Sequence, residues 1–393
     1  MFFYCKEIKN GVLWQTVFFV FRRYSMKVVN FIKRNTVFCV AMTAALITSF
    51  FVPPDAEYFG YFDWRTLACL FITLAVVSAL GNVKFFTILA RKLVMAAGNL
   101  RGLFLMLVVI TFIGSMIIAN DMALITFLPL GYFALSVGKK EKYMAYLFIL
   151  QNISANLGGM VTPFGNPQNL YIYSFYEIPT DEFVSIMFPP FVLAISMLAA
   201  ACFLVKPEKL HIDEEFPEKF HTARTVTYFI LFFISVLIVL RLVPFLLGLI
   251  MIPAVLFFMD KDALLEVDYG LLGTFFFFFI FSGNLARMDA VNAFFSMLLE
   301  KDALIVSTLS CQFISNVPTA ILLSQFTEDY RSLLLGVNIG GTGTLIASLA
   351  SLITFSEFKI LYPGEGKKYL SMFTVINLIF LVVMTAAAKI FFV

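Results

Sequence analysis

Residues 156–170 read NLGGMVTPFGNPQNL, and residues 338–352 read NIGGTGTLIASLASL. The two stretches lie 182 residues apart, and Asn, Gly-Gly, Thr and Leu match in register between them. Each lies in an apolar run, yet each is rich in helix breakers, since a Gly costs about 1 kcal/mol and a Pro about 3 kcal/mol in a helix interior. The pattern therefore predicts two membrane helices, over residues 143–173 and 333–355, that unwind near the middle. Unwound backbone at membrane depth is tolerated only where it lines a cavity or is buried in protein.

The composition of the chain indicates that its surroundings are lipid. Of 393 residues, 61% are hydrophobic and 13% are charged, whereas a soluble domain carries about 25% charged residues. Long apolar runs in lipid must be helices, because lipid cannot satisfy backbone N–H and C=O groups. The sequence thus predicts an all-α polytopic membrane protein in the lipid bilayer. The net charge of +3 gives no indication of nucleic-acid binding.

Basic clusters between the apolar runs orient the chain, because Lys and Arg are enriched on the cytoplasmic side. Five basic residues between positions 22 and 34 place the N-terminus in the cytoplasm. Basic clusters at residues 84–101 and 139–142 flank the apolar stretch 102–137, so this stretch must enter and leave by the same face. It is predicted to be a re-entrant hairpin with Asn120-Asp121 near its tip. A second hairpin, residues 303–326 with Ser315-Asn316 at its centre, is predicted to open from the outside, where the C-terminus also lies.

These features divide the chain into two halves of opposite orientation. The predicted parts are an N-terminal extension or mis-set start (residues 1–25), a first inverted repeat (26–205), a cytoplasmic linker (206–224), a connecting transmembrane helix (225–243) and a second inverted repeat (244–393). Inverted repeats whose broken helices meet near mid-membrane are typical of secondary transporters. The competing interpretation of a single break is a kink, or close packing of helices through small residues.

Asp121 is the only acidic residue deep in a predicted membrane segment. A carboxylate there costs at least about 2.5 kcal/mol, which makes it a functional candidate; the competing interpretation is a helix N-cap. Withdrawal from water favours its protonated form, which would couple transport to H+. The alternative is an ionised carboxylate that binds Na+ together with Asn120 and the carbonyls near Gly159.

Three motifs resemble one known family. Residues 119–127 (ANDMALITF), 315–323 (SNVPTAILL) and 336–349 (GVNIGGTGTLIASL) are similar to segments of the citrate-transporter-like permeases. These belong to the ion transporter superfamily, with the divalent anion/sodium symporters and the arsenical pump membrane proteins. The resemblance covers residues 26–393 and implies a scaffold part and a moving transport part in each repeat, with movement like that of an elevator. It also implies a homodimer, as in the symporter branch.

The resemblance assigns roles to matching positions. Asn120 and Asn316 match tip asparagines that contact substrate and cation, and Ser315 matches the second tip serine. The unwound loops are matched by Gly159, Thr162, Pro163, Gly341, Thr342 and Thr344. Carboxylate symporters have Ser-Asn-Thr at each tip, whereas this chain has Ala-Asn-Asp at positions 119–121 and Ser-Asn-Val at 315–317. The Asn-Asp tip is closer to the arsenical-pump branch and disfavours citrate itself, because Asp repels a carboxylate unless it is protonated or cation-bound.

The sequence therefore predicts a secondary active transporter of a small anion, a carboxylate or an oxyanion, that works by alternating access with H+ or Na+ as the coupling ion. A cation/proton antiporter and an ion channel on the same scaffold are the alternatives. No HExxH, GxSxG or Walker A pattern occurs, so an enzyme is not predicted and no cofactor is expected, although a separate ATPase partner stays open. A plasma-membrane location is predicted.

The predicted substrate-binding residues are Asn120, Asp121, Thr162, Pro163, Ser315, Asn316, Thr342 and Thr344. The residues predicted to couple the cation, with Na+ as the candidate metal, are Asp121, Asn120, Gly159, Asn156, Asn316, Gly341 and Asn338.

Overall fold

A computed structural model of the chain describes residues 35–95, 97–209 and 222–392. The predicted N-terminal extension and most of the predicted linker lie outside these residues. The helices of the first half are α1 (Thr36–Phe51), α2 (Trp64–Asn82), α3 (Phe85–Met95), α4 (Leu100–Ile118), α5 (Asn120–Val137), α6 (Met144–Gly158), α7 (Pro167–Phe175) and α8 (Thr180–Phe203). Those that follow are α9 (Thr222–Val239), α10 (Phe245–Met259), α11 (Lys261–Leu265), α12 (Tyr269–Ala286), α13 (Asp289–Ile314), α14 (Asn316–Leu323), α15 (Tyr330–Ile339), α16 (Leu349–Leu361) and α17 (Gly366–Ala387).

The prediction of an all-α polytopic membrane protein is confirmed. Within the described residues, six helical segments are long and apolar enough to cross a membrane: Trp64–Asn82, Leu100–Ile118, Asn120–Val137, Thr180–Phe203, Lys261–Ala286 and Gly366–Phe392. Shorter apolar helices accompany them over Thr36–Phe51, Ala223–Val239 and Phe245–Met259.

Short polar side chains begin many of these helices, as they do in soluble proteins. Asp63 Oδ1 accepts from Thr66 N at 2.9 Å, and Asp268 Oδ1 accepts from Leu271 N at 2.9 Å. Asn99 Oδ1 accepts from Gly102 N at 2.9 Å, so α4 begins at Leu100, two residues before the predicted hairpin.

The start of the second broken helix and the bounds of the connecting helix also differ from their predicted positions. The second broken helix begins at Tyr330 and not at residue 333, because Asp329 Oδ1 accepts from Ser332 N at 3.0 Å. The connecting helix spans Thr222–Val239 and not residues 225–243. Arg241, with φ of 67°, turns the chain there.

The first hairpin is formed by α4 and α5, which pack on α6. A single residue, Ala119, joins the two arms. Gln151 of α6 bridges them, because its Nε2 donates to Thr111 Oγ1 at 3.2 Å and to Phe127 O at 3.1 Å. Thr111 and Phe127 each lie eight residues from Ala119, so the arms run antiparallel.

The open end of the first hairpin is attached to the segment that follows α8. Leu100 N donates to Glu208 O at 2.8 Å, Tyr143 OH donates to Glu208 Oε1 at 3.2 Å, and Lys140 Nζ pairs with Glu208 Oε2. The hydrogen bond from Lys140 holds the pKa of Glu208 below its ordinary value. Arg101 Nε also donates to Val205 O at 2.9 Å. Both arms of the first hairpin therefore end at the C-terminal end of α8.

The second hairpin is formed by the last part of α13 and by α14, which Ser315 joins. Asp302, with φ −168° and ψ 86°, interrupts α13, and its Oδ1 accepts from Ile305 N at 3.1 Å. At the open end, Tyr176 OH donates to Thr327 O at 2.6 Å and lies 3.1 Å from Ser324 O. Tyr176 lies just before α8, so this hairpin ends at the N-terminal end of that helix.

The two hairpins thus open at opposite ends of α8, a helix of 24 residues and roughly 35 Å in length. This arrangement is what the charge pattern predicts for two halves of opposite orientation. The inverted repeat and its orientation in the membrane stay predictions.

We expect single cysteines at positions 92 and 142 to react with a membrane-impermeant maleimide from the cytoplasmic side, and one at position 177 to react from the outside. The reason is that Glu208 contacts residues at both ends of the first hairpin, so both ends lie at one face of the membrane. Labelling of right-side-out and inside-out vesicles, in a background without native cysteines, measures this. Reaction of positions 92 and 142 from opposite faces would make residues 102–137 a full span and remove the basis of the inverted repeat.

Candidate functional site

The two hairpin tips share one unusual backbone geometry. Ala119 has φ 63° and ψ 159°, and Ser315 has φ 73° and ψ 159°. This region of backbone space is almost restricted to glycine and costs a side-chain-bearing residue about 1–3 kcal/mol. In both tips the next asparagine accepts from the following amide: Asn120 Oδ1 from Asp121 N, and Asn316 Oδ1 from Val317 N, each at 2.9 Å. Such strain is typical of ligand-binding sites.

The two broken helices supply an unwound loop beside each tip. In the first half, α6 ends at Gly158 and α7 begins at Pro167; in the second, α15 ends at Ile339 and α16 begins at Leu349. The loop between α6 and α7 is called loop 1, and that between α15 and α16 is called loop 2.

Each loop is attached to its own hairpin in the same way. Thr162 Oγ1 of loop 1 donates to Met116 O at 3.1 Å, and Thr344 Oγ1 of loop 2 donates to Gln312 O at 3.0 Å. Met116 and Gln312 both lie three residues before the strained tip residue. The two threonines also match in the sequence repeat, so the repeat extends to this contact.

Glycine permits the close approach of loop and hairpin. A Cβ added to Gly158 would overlap Phe112 O and Ser115 Oγ, and one added to Gly340 would lie 2.8 Å from Cys311 Sγ. Ser115 and Cys311 both lie four residues before the tip residue. The matched Gly-Gly pairs therefore have a packing role at their first position.

The second glycine of each pair lies next to an amide. A Cβ on Gly159 would lie 2.5 Å from Asn166 Oδ1, and a Cβ on Gly341 would lie 3.1 Å from Asn316 Nδ2. Gly341 therefore brings loop 2 directly against the second tip asparagine.

The two broken helices contact each other through buried polar side chains. Ser348 Oγ, at the start of α16, donates to Asn156 Oδ1 of α6 at 2.7 Å. In the reciprocal contact, Asn338 Nδ2 of α15 donates to Asn169 Oδ1 of α7 at 2.6 Å. Asn152 Oδ1 also accepts from Ser351 Oγ at 3.3 Å. The part of each broken helix before its loop thus packs on the part of the other after its loop, as expected of two halves related by a twofold axis.

The predicted substrate-binding residues differ in how far they are exposed. Asn120 and Asn316 are buried at the tips. Thr344 is exposed, whereas Pro163 and Thr342 are buried, and the Thr342 hydroxyl donates to Ile339 O at 2.7 Å. Thr342 therefore stabilises the end of its own helix.

The two tips lie beside their own loops. Ser315 Oγ lies 3.3 Å from Ala347 O of loop 2. No hydrogen bond between described residues joins the first tip to the second.

Asp121 is the only charged residue within residues 102–137, 144–176, 303–326 and 333–355, which form the membrane-embedded parts of the two hairpins and the two broken helices. Its Oδ1 is buried and has no hydrogen-bond partner among the described residues. Asn156 Nδ2 and Asn166 Oδ1 are likewise buried without a partner in this part of the chain. Unpaired buried polar atoms are costly and call for a water or a ligand. The arrangement can therefore bind a small polar solute through amides, hydroxyls and backbone groups, with one carboxyl group as its only charge.

Sequence reasoning missed the two side chains that hold the loops. Asn169 Nδ2 donates to three carbonyls of loop 1, those of Gly159, Met160 and Thr162, at 3.1–3.3 Å. Gln312 contacts the backbone of loop 2. Asn169 was visible as a polar position of the repeat, paired with Ser351, but nothing in the apolar run around Gln312 singles it out.

Comparison with known proteins agrees with this architecture. Residues 16–328 match the citrate transporter family. The chain is 32% identical over 341 residues to an uncharacterized transporter of Methanocaldococcus jannaschii, covering 86% of this chain and 92% of that protein. It is 29% identical over 312 residues to the inner membrane protein YbiR of Escherichia coli, covering 78% and 83%.

The chain is also similar, over a shorter alignment, to a plant protein. A silicon efflux transporter of Oryza sativa subsp. japonica is 30% identical over 162 residues, which are 40% of this chain and 33% of that protein. The family match and the extent of the two longer alignments lead to one conclusion. The chain belongs to the citrate transporter family and is a membrane transporter.

Proposed function

We propose that the protein is a secondary active transporter of a small oxygen-rich solute, an oxyanion or a carboxylate, coupled to H+ or Na+. The observation that carries the proposal is the pairing of two strained tips, at Ala119 and Ser315, with two unwound loops that are attached to them by equivalent contacts. A site made of two matched halves presents one face to each side of the membrane in turn, which is what alternating access requires.

The chemistry of the site restricts the solute. Amide N–H and hydroxyl groups donate to oxygen atoms, and unwound carbonyls and amide oxygens bind a cation or a protonated oxygen. Residues 102–137, 144–176, 303–326 and 333–355 contain no Lys or Arg, so a multiply charged anion would depend on a bound cation for charge balance. Asp121 adds a negative charge when ionised, which favours a solute of low charge.

The solute is therefore proposed to be a weak oxyacid or a monovalent carboxylate in preference to citrate. Silicic acid is a second candidate, and a specific observation favours it. It is uncharged near neutral pH and presents only hydroxyl groups, and the partially similar rice protein is a silicon efflux transporter. A neutral solute also removes the repulsion that an ionised Asp121 would exert.

Coupling is proposed to involve Asp121, since its carboxyl group, at the tip of the first hairpin, has a buried oxygen without a hydrogen-bond partner among residues 35–95, 97–209 and 222–392. A proton or Na+ would neutralise it when the solute is present. The proposed location is the plasma membrane, with the open end of the first hairpin in the cytoplasm.

Uptake into proteoliposomes tests the proposal. Lactate, citrate, arsenite and silicic acid are each offered under an imposed H+ gradient and, separately, under an imposed Na+ gradient. We expect lactate, arsenite or silicic acid to accumulate above its equilibrium level under one gradient only, and not in liposomes that lack the protein.

Two outcomes contradict the proposal. Equilibration of small ions without accumulation under either gradient, together with single-channel currents, would indicate a channel. Release of H+ or Na+ in exchange for another cation, with no solute moved, would indicate a cation/proton antiporter.

A further inference from the structure

Gln312, one turn before the second tip, makes a denser set of contacts with loop 2 than any residue of the first hairpin makes with loop 1 among the described contacts. The two hydrogens of its Nε2 are shared among Gly340 O at 2.9 Å, Thr342 O at 3.1 Å and Thr308 O of its own helix at 3.1 Å, and its Oε1 accepts from Thr344 N at 2.8 Å. Its backbone carbonyl also accepts from the Thr344 hydroxyl. One side chain therefore bonds three backbone groups in the first part of loop 2, before the short 3-10 turn at Leu345–Ala347.

The backbone of loop 2 is shaped around this side chain. Gly343 has φ of 112°, and a Cβ at that position would overlap Gln312 Oε1. A glycine is required there because the amide of Gln312 occupies the space that a side chain would fill.

Loop 1 is held differently. The first hairpin has Met116 at the position that matches Gln312, and among the hydrogen bonds of the described residues only its backbone carbonyl bonds loop 1. The carbonyls of loop 1 are satisfied by Asn169, which belongs to α7 and not to the hairpin. Both loops thus share the threonine contact with their hairpins, but the side chain that bonds further backbone groups belongs to the broken helix for loop 1 and to the hairpin for loop 2.

We propose that Gln312 is the positioning residue of the second half of the transport site, an inference that rests on the proposed function. By fixing loop 2 to the second hairpin, Gln312 keeps the tip at Ser315-Asn316 and the loop at Gly341 in one arrangement, so this half-site is preformed. The first half-site lacks this clamp, and its loop and tip can separate by breaking the Thr162–Met116 hydrogen bond. The two halves therefore differ in rigidity, although the sequence repeat makes them look equivalent.

The test replaces Gln312 by the residue that the first hairpin carries. Transport of arsenite and of silicic acid is measured in proteoliposomes containing wild type or Gln312→Met, with the amount of inserted protein determined for each. We expect the half-saturation concentration of the transported compound to rise at least about tenfold, since two or three hydrogen bonds are lost, while the maximal rate per inserted molecule stays within about threefold. Leu309→Ala is the control, because Leu309 lies three residues earlier on the same helix with an exposed side chain.

A purely structural role predicts another result. It would lower the amount of inserted protein or the maximal rate and leave the half-saturation concentration unchanged, which would overturn the proposal.

Should Gln312→Met fail to insert, Gln312→Glu replaces it. Glu keeps the acceptor for Thr344 N but turns an oxygen toward the Gly340 and Thr342 carbonyls, so it must also raise the half-saturation concentration. If wild type moves neither compound, the proposed function fails in this form; if wild type transports and both variants keep the wild-type half-saturation concentration, only the role of Gln312 fails.

Discussion

Gly159→Leu abolishes transport, by at least about a hundredfold, while the protein still reaches the membrane. The Cβ alone would lie 2.5 Å from Asn166 Oδ1, and the rest of the leucine side chain would fill the space between loop 1 and its neighbours. Displacement of groups that position a ligand by about 1 Å costs on the order of a hundredfold. Uptake per inserted molecule, with insertion measured by fluorescence-detected size exclusion, is the readout.

The control for this substitution is Gly364→Leu. Gly364 lies in the turn before α17, and a Cβ at that position would have no atom within 4 Å. It tests the effect of adding the same side chain where the structure has room. Wild-type uptake by Gly159→Leu would show that loop 1 does not contribute to the transport site.

Asp121→Asn removes gradient-driven accumulation and leaves some exchange of substrate across the membrane. The asparagine resembles the protonated carboxyl group in shape and charge, so the site is permanently in its neutral form and can no longer bind and release the coupling ion. Accumulation and counterflow exchange are measured in the same proteoliposomes, under an H+ gradient alone and under an Na+ gradient alone. Under H+ coupling, exchange in the variant becomes insensitive to pH; under Na+ coupling, it loses its dependence on Na+.

Asp289→Asn serves as the matched control. Asp289 is an exposed acid in the first turn of α13, so the substitution makes the same chemical change at a helix start outside the site. An Asp121→Asn protein that accumulates substrate against its gradient, with either ion gradient as the sole driving force, would exclude Asp121 as the coupling group for that ion.

The sequence predicted the site best where a local stretch contains residues that are unfavourable in a helix surrounded by lipid. Glycines and prolines at residues 158–167 are costly in a membrane helix, so they pointed to an unwound loop without reference to the rest of the chain. Asn120-Asp121 pointed to a hairpin tip once the basic clusters on both sides of residues 102–137 were taken into account. The internal repeat also helped to predict the site, because the matched positions Thr162 and Thr344 make equivalent contacts with their hairpins.

The sequence was less informative where the role of a residue depends on how helices rotate against each other. Gln312 is one polar residue among several in residues 303–326, and its function follows from loop 2 lying against that face of α13. Thr342 matched a family position expected to bind substrate, yet its hydroxyl is within reach of the Ile339 carbonyl, and this local bond is made. Helix ends were also shifted by caps such as Asp329, whose effect depends on the backbone conformation of the cap itself.

The reciprocal contacts of the broken helices have a consequence for the order in which the chain is assembled. Asn156 and its partner Ser348 are 192 residues apart, and Asn152 and Ser351 are 199 apart. During synthesis, α6 therefore enters the bilayer long before α16 exists, with two amides that lack their final partners in a medium that offers none. The first half must stay hydrated, or be held by the insertion machinery, until the second half emerges from the ribosome. A chain truncated before α16 should accordingly be recognised as incomplete and degraded.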